Sequence, residues 1–257
     1  MANKDSTAKT LVVALVLCVV CSIIVSVSAV LLKPTQVKNK EAFLKQNMLQ
    51  AAGMYDETKS VDEQFEQFTV RIVDLDTGMY TDAIDAAGYD QLKAAKDPAL
   101  SSEIPDDQDL AKISRRVKYA KVYTLDGDNG IETIILPING YGLWGTLYGF
   151  LALEADANTV VGLSYYDHKE TPGLGGEIEN PNWKKLWQGK KIYDQNDNVA
   201  ISVIKGAVNP NDAMADYKVD GLSGATLTSR GVDLMFKYWL GEQGFENFLT
   251  NLREGKA

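Results

Sequence analysis

The chain has 257 residues, 45% of them hydrophobic, and a formal net charge of -9. That length holds one large domain or two small ones, and the hydrophobic share is ordinary for a globular protein. The acid excess argues against nucleic-acid binding, which calls for basic patches, and a single histidine, with both cysteines near the N-terminus, argues against a zinc site.

Residues 1–10 form a tail with Lys4, Asp5 and Lys9. Leu11 to Leu32, LVVALVLCVVCSIIVSVSAVLL, carries no charge. At about 1.5 Å per residue it spans roughly 33 Å, the apolar thickness of a bilayer. It reads as a transmembrane helix with the lipid bilayer as its partner. A cleaved signal peptide is the rival, with Val27-Ser28-Ala29 as the cleavage site. The apolar run continues past that point to Leu32, which favours an uncleaved anchor. Leu17 and Val20 precede the cysteines, so a lipoprotein signal does not fit. Cys18 and Cys21 have redox-motif spacing, but that motif needs a polar, accessible helix start. Inside an apolar segment they read as small apolar residues. Lys33, Lys38, Lys40 and Lys45 follow the segment, against Lys4, Lys9 and the amino terminus before it. A simple positive-inside count places the large domain in the cytoplasm.

Residues 33–257 read as one soluble domain with a helical connector at its start. Phe43, Leu44, Met48, Ala51, Ala52 and Tyr55 recur at helical steps, giving a helix over 37–55. Phe68–Val73 is a strand, and 81–112 form short helices and loops without assigned chemistry. Strands follow over 118–125, 131–138, 147–154, 159–166 and 199–205, with turns at 126–130 and 155–158. Sequential hairpins with helices before and after them give an α+β fold: one antiparallel sheet plus helices, behind a transmembrane helix. Thr226–Leu240 is a helix with Val232, Met235, Phe236, Trp239 and Leu240 on one face, stopped by Gly241. A last helix covers 245–252.

Three stretches carry chemistry. Asp220–Arg230, DGLSGATLTSR, places Ser223, Thr226, Thr228 and Ser229 at a helix mouth, with Gly221, Gly224 and Ala225 keeping bulk away. Unpaired amides and the peptide dipoles make such a mouth a seat for phosphate. The plainer alternative is Ser223 as an ordinary N-cap. HKETPGLGG, His168–Gly176, is a glycine-rich loop that either offers backbone donors to a flat ring or is a surface turn. Tyr141-Gly-Leu-Trp-Gly-Thr146 offers aromatic faces for stacking, or else a core tryptophan.

DGLSGAT fits the pattern D-x-x-[ST]-G-A-[ST], and ETPGLG is its companion. Together, in this order and behind a membrane segment, they resemble the family of domains that carry flavin mononucleotide (FMN) through a phosphoester bond. YGLWGTLYGFLAL and NPNWKKLWQGKKI extend the likeness over nearly the whole chain, toward the C subunits of bacterial sodium-translocating NADH:quinone reductases. The G subunits of the related Rnf electron-transport complex share both motifs. The resemblance implies Thr226 as the hydroxyl that bears covalent FMN. It implies Ser223 near the phosphate, with Leu222, Gly224 and Ala225 beside it. Asp220 would open the motif read by a flavin-attaching transferase. Glu170, Thr171, Leu174 and Gly175 would lie near the ring, with Tyr141, Leu143 and Trp144. His168 is an internal rival for attachment.

The resemblance further implies an electron carrier, not the NADH-binding subunit, in a complex that oxidises NADH, reduces ubiquinone and exports Na+. No strand–GxGxxG–helix fingerprint is present. Its partners would be the other membrane and peripheral subunits and the transferase. It would be a single-pass protein of the bacterial inner membrane with a periplasmic C-terminal domain, against the lysine count. The alternative from another class is a membrane-anchored scaffold domain that never carries flavin.

Overall fold

The computed structural model describes residues 6–128 and 130–257. Residues 1–5 of the expected tail, and Asn129 in the expected 126–130 turn, lie outside them. The chain divides into two units, one ending at Phe43 and one spanning Leu44–Ala257.

Helix α1 (Thr7–Ala51) begins in the first unit and ends in the second. Its residues up to 41 are all exposed, and by length and composition it can cross a membrane. Separate helices over 11–32 and 37–55 were expected, but the helix is continuous through Pro34. A proline forfeits one bond, to the Val30 carbonyl, and the turns on either side carry the helix across. The end is also earlier than expected. Gly53 takes φ +69, its amide donates to Gln50 O at 3.1 Å, and Met54 N donates to Leu49 O at 2.9 Å. This left-handed glycine cap stops the helix four residues short of Tyr55.

In the second unit, α2 (Val61–Phe65) precedes β1 (Phe68–Asp74), which turns into β2 (Met79–Tyr80). The stretch read as short helices and loops contains α3 (Gln91–Ala94) and β3 (Ser101–Glu103), and β3 pairs with β4 (Arg115–Val117). A meander follows: β5 (Tyr119–Gly127), β6 (Gly130–Tyr141), β7 (Thr146–Glu154) and β8 (Val160–Asp167). After α4 (Pro181–Lys185) come β9 (Ser202–Ile204), β10 (Lys218–Asp220), α5 (Thr226–Trp239) and α6 (Glu246–Arg253).

The main sheet has the order β2-β1-β5-β6-β7-β8, antiparallel throughout. The expected strand over 199–205 shortens to β9, and it leaves the meander: it pairs in parallel with β10, Val203 beside Val219. The Asp233 carboxylate of α5 accepts from Val203 N at 2.9 Å and Ser202 Oγ at 2.8 Å, which ties this pair to the helix.

Period-two patterning buries both faces of the sheet centre. Ile134, Leu136 and Ile138 of β6 join Val232, Met235, Phe236 and Trp239 of α5 in the larger core. Ile135, between them, faces the other way and packs with Met48 and Leu49 of α1. The five apolar residues expected on one helix face, four of them in α5 and Leu240 at its C-cap, are all buried. Trp187 stacks on Phe236 with ring centroids 4.3 Å apart and supports α5.

The β7–β8 turn is locked by Asp156. Its carboxylate accepts from Asn158 N at 2.9 Å and Thr159 N at 2.7 Å. Partial burial acts to raise its pKa, but the hydrogen bonds from Thr159, Asn158 and Lys191 outweigh that and hold it below the ordinary value. A depressed folded-state pKa contributes stability above the unfolded pKa of about 3.9, and that stability is lost as pH falls through the folded value. Asp156→Asn should therefore destabilise the domain at neutral pH, and the gap between variant and wild type in urea midpoint should close in acid. A gap independent of pH would contradict this.

Candidate functional site

Each motif stretch has its conformation from a local rule. In Thr171-Pro-Gly-Leu174 the Leu174 amide donates to Thr171 O at 3.1 Å and Gly173 takes φ +75. Proline second and a left-handed glycine third are the requirements of a type II turn. Leu222-Ser-Gly-Ala225 repeats the pattern: Ala225 N donates to Leu222 O at 3.2 Å, with Gly224 at φ +73. The third stretch is the β6–β7 hairpin, where Gly142 N donates to Gly145 O at 2.9 Å and Leu143 and Trp144 form the tip.

Glu170 joins all three. Its side chain is buried. Oε1 accepts from the amides of Leu143 and Trp144, each at 2.9 Å, and Oε2 accepts from Thr228 Oγ1 at 2.6 Å. One carboxylate thus links the hairpin tip, the glycine loop and the first turn of α5. Glycines leave it room: a Cβ at Gly175 would stand 2.5 Å from Glu170 Oε2 and from Thr228 Oγ1, and one at Gly142 would stand 2.6 Å from Oε1. Glu170 was expected near a ring; the structure shows it as an internal brace.

The tip's amides point inward, so its side chains point out. Leu143 is 39% exposed and Trp144 62%, which rules out the core reading of the tryptophan. Tyr141, Leu174 and Leu227 are also exposed. Leu174 lies over Gly224, where a Cβ would meet its Cδ2 at 3.1 Å. Thr171 is exposed, and its carbonyl accepts from Gly176 N at 2.9 Å. Two clefts, of about 670 and 440 Å³, lie along β1 and α3, away from these residues. The motif region is an open surface with an apolar rim.

At the helix mouth, Ser223 is exposed and does not cap α5. The N-cap is Ala225, which has no side-chain oxygen to offer. The amides of the first turn therefore have neither an intrahelical acceptor nor a cap from that position. Thr226 is the first residue of α5 and its side chain is exposed. Buried Leu222 donates its amide to Ser229 Oγ at 2.9 Å. Asp220 faces away: its Oδ1 accepts from Val208 N and its carbonyl from Trp183 Nε1, both at 2.8 Å.

His168 has both nitrogens engaged. Nδ1 accepts from Glu170 N at 3.1 Å, and Nε2 stands 3.2 Å from Glu179 Oε1. It orients the glycine loop. Lys184 nearby titrates below the ordinary lysine range because burial disfavours its charge, partly offset by Glu179.

Residues 142–241 match the model of the FMN-binding domain family. Over the whole of both chains this protein is 52% identical to the C subunit of the Na(+)-translocating NADH-quinone reductase of Pseudomonas aeruginosa. The chain belongs to the family of these C subunits. The Haemophilus ducreyi C subunit is 48% identical over 98% of this chain and 96% of its own. Among solved structures, Shewanella oneidensis NqrC superposes with a TM-score of 0.75 at 34% identity, covering 82% of this chain and 96% of that one. The C subunit of Parabacteroides distasonis gives 0.66 at 27% identity, over 85% and 97%. In this family member the matched segment starts at the hairpin that Glu170 holds and ends at the glycine after α5.

Two contributors to the site carried no sequence signal beyond their residue type. Thr228 stood out only as one hydroxyl among four, yet it is the buried partner of Glu170. Gly231 lies inside α5, where a Cβ would stand 2.5 Å from the Tyr141 carbonyl. Gly231→Ala gains about 1 kcal/mol of helix propensity but forces α5 off the hairpin, at about 1–3 kcal/mol for overpacking and more against rigid backbone. A net loss of about 2 kcal/mol is expected in urea denaturation. A stabilised variant would show that hairpin and helix separate freely.

Proposed function

We propose that this chain is a membrane-anchored electron carrier that holds FMN by a phosphoester to Thr226. It would work within a complex that oxidises NADH, reduces ubiquinone and exports Na+. The observation that carries the reading is the exposed Thr226 hydroxyl on the first turn of a helix whose N-cap is alanine. Unsatisfied amides and the helix dipole favour a phosphate there, and the left-handed Gly224 closes the turn that leads into the helix, with Leu174 packed over it. FMN, when attached, supplies the electron-transfer chemistry of its ring.

The chain's own residues do the rest. Thr226 retains the cofactor without relying on binding energy. Ser223 and the first-turn amides face the phosphate, and exposed Arg230, one turn on from Thr226, adds a cation on the same side. Leu143, Trp144, Leu174 and Leu227 provide apolar surface for the ring, with Tyr141 and Thr171 at its margin, and buried Gly175 backs that surface by leaving room for Glu170 and Thr228. Glu170 and Thr228 hold these parts in register. Asp220 fixes the loop that presents the motif to a flavin-attaching transferase. The anchor lies in the inner membrane and the domain in the periplasm, because large domains translocate despite flanking lysines.

Expression with and without a flavin-attaching transferase tests this. A yellow product whose flavin survives denaturation, formed only with the transferase, is the expected result. A colourless product of unmodified mass in both cases would favour the scaffold reading.

A further inference from the structure

The main sheet ends on an edge that the chain covers for only part of its length. Leu75 N donates to Lys118 O at 2.9 Å, which continues the register that sets Val73 beside Ala120 and Arg71 beside Val122. Hydrogen-bonded pairs in an antiparallel ladder recur at every second residue. The backbone groups of Thr69, Arg71 and Val73 therefore turn toward β5, and those of Val70 and Ile72 turn to the opposite side. The Ile72 carbonyl agrees, since it accepts from Thr81 N at 2.9 Å. β2 reaches only Val73 and Asp74. Among the described residues, the N–H and C=O of Val70 and the N–H of Ile72 have no backbone partner.

A cleft of about 670 Å³ opens along this edge, lined by Val70, Arg71, Tyr80, Asp82, Ile84 and Asp85 among others. A second cleft shares Ile84 and Asp85 with it and extends to Asp97. The cations in this groove are already committed. Arg71 pairs with Asp126 at 2.9 Å and Lys93 with Asp90 at 2.9 Å. Asp82, Asp85 and Asp97 take part in no ion pair among the described residues, and the Lys121 ammonium, which Asp85 and Asp90 attract from further off, is held by the Tyr89 carbonyl at 2.7 Å. The surrounding sequence is one-sided: Asp74 to Asp109 holds ten carboxylates against two lysines. An open strand edge is a template for another strand, and an acidic wall beside it selects a basic one.

We infer that the free edge of β1 receives an extended segment of another subunit, one that bears lysine or arginine. Its backbone pairs with Val70 and Ile72, and its cation lies toward Asp82 and Asp85. This is strand addition, in which main-chain bonds give affinity and side chains give selectivity. The inference rests on the proposed function only in needing neighbouring subunits. It uses none of the residues around Thr226.

Val70→Pro isolates the claim. The Val70 amide serves no bond to β5, so proline there removes the docking donor and spares the internal ladder. Thr69→Pro would remove a ladder bond and serves as the unfolding control. The full chain would be expressed in its host and the complex purified through a tag on another subunit. The expected results for Val70→Pro are about a tenfold lower retained fraction, with unchanged circular dichroism and attached flavin. The Asp82→Lys/Asp85→Lys double variant should lose retention several-fold and become less sensitive to added salt. Peptides spanning residues 66–73 should exchange amide hydrogens much more slowly in the complex than in the free subunit. Wild-type retention by both variants, with unchanged exchange, would overturn the inference and leave the flavin reading untouched. A wild-type chain that co-purifies with no other protein would overturn both.

Discussion

Thr226→Val should fold normally and carry no covalently attached flavin. The side chain is exposed at the first turn of α5 and bonds to no other side chain among the described residues, so stability should stay within about 0.5 kcal/mol of wild type. Valine keeps the shape and removes the one atom an ester needs. In-gel flavin fluorescence after denaturation, read beside the urea midpoint, separates chemistry from folding. Thr226→Ser restores a hydroxyl on a less constrained side chain and should recover part of the attachment. Full retention of protein-linked flavin in Thr226→Val would move the attachment to another hydroxyl. His168 is a poor substitute, since both of its ring nitrogens are engaged.

Glu170→Ala should be the most damaging single change at the site. It leaves two tip amides and the buried Thr228 hydroxyl without their acceptor. The tip can turn its amides to water, whereas Thr228 cannot, and a stranded buried group costs about 1–3 kcal/mol. With the lost charge-assisted bonds the total should be about 3–4 kcal/mol in urea denaturation. Glu170→Gln keeps an acceptor for the tip and a group that can bond Thr228, so it should cost about 1 kcal/mol. In holoprotein, Glu170→Ala should also free the Leu143–Trp144 tip and alter the fluorescence of the attached flavin, while attachment at Thr226 persists. A loss below about 1 kcal/mol for the alanine variant would show that Glu170 is not the brace.

Much of this fold was legible because its signals are local. The strand patterns over 118–166 gave the meander to within a few residues, and the apolar spacing after Thr226 gave the buried face of α5. What was missed depended on distant partners. Nothing local marks β9 as leaving the antiparallel sheet, since its pairing is set by β10, beyond a long loop. The continuity of α1 through Pro34 reflects bonding in the turns on either side, which outweighs a local breaker. At the site, glycine positions disclosed the turns, because only a left-handed residue closes a type II turn. The role of Glu170 was hidden, because a carboxylate beside a glycine loop reads as a ligand contact until its three donors are known. The plainer alternative for Ser223, an ordinary N-cap, does not hold, because the backbone places the cap two residues later, at Ala225. That shift leaves the first-turn amides open beside Thr226.

The central claim is a covalent bond at one side-chain oxygen, and peptide mass mapping of the chain purified from its native host tests it most directly. The peptide containing Thr226 should carry one FMN, joined through phosphate to that residue. An unmodified Thr226 peptide, with no flavin on any other peptide of the chain, would contradict the account.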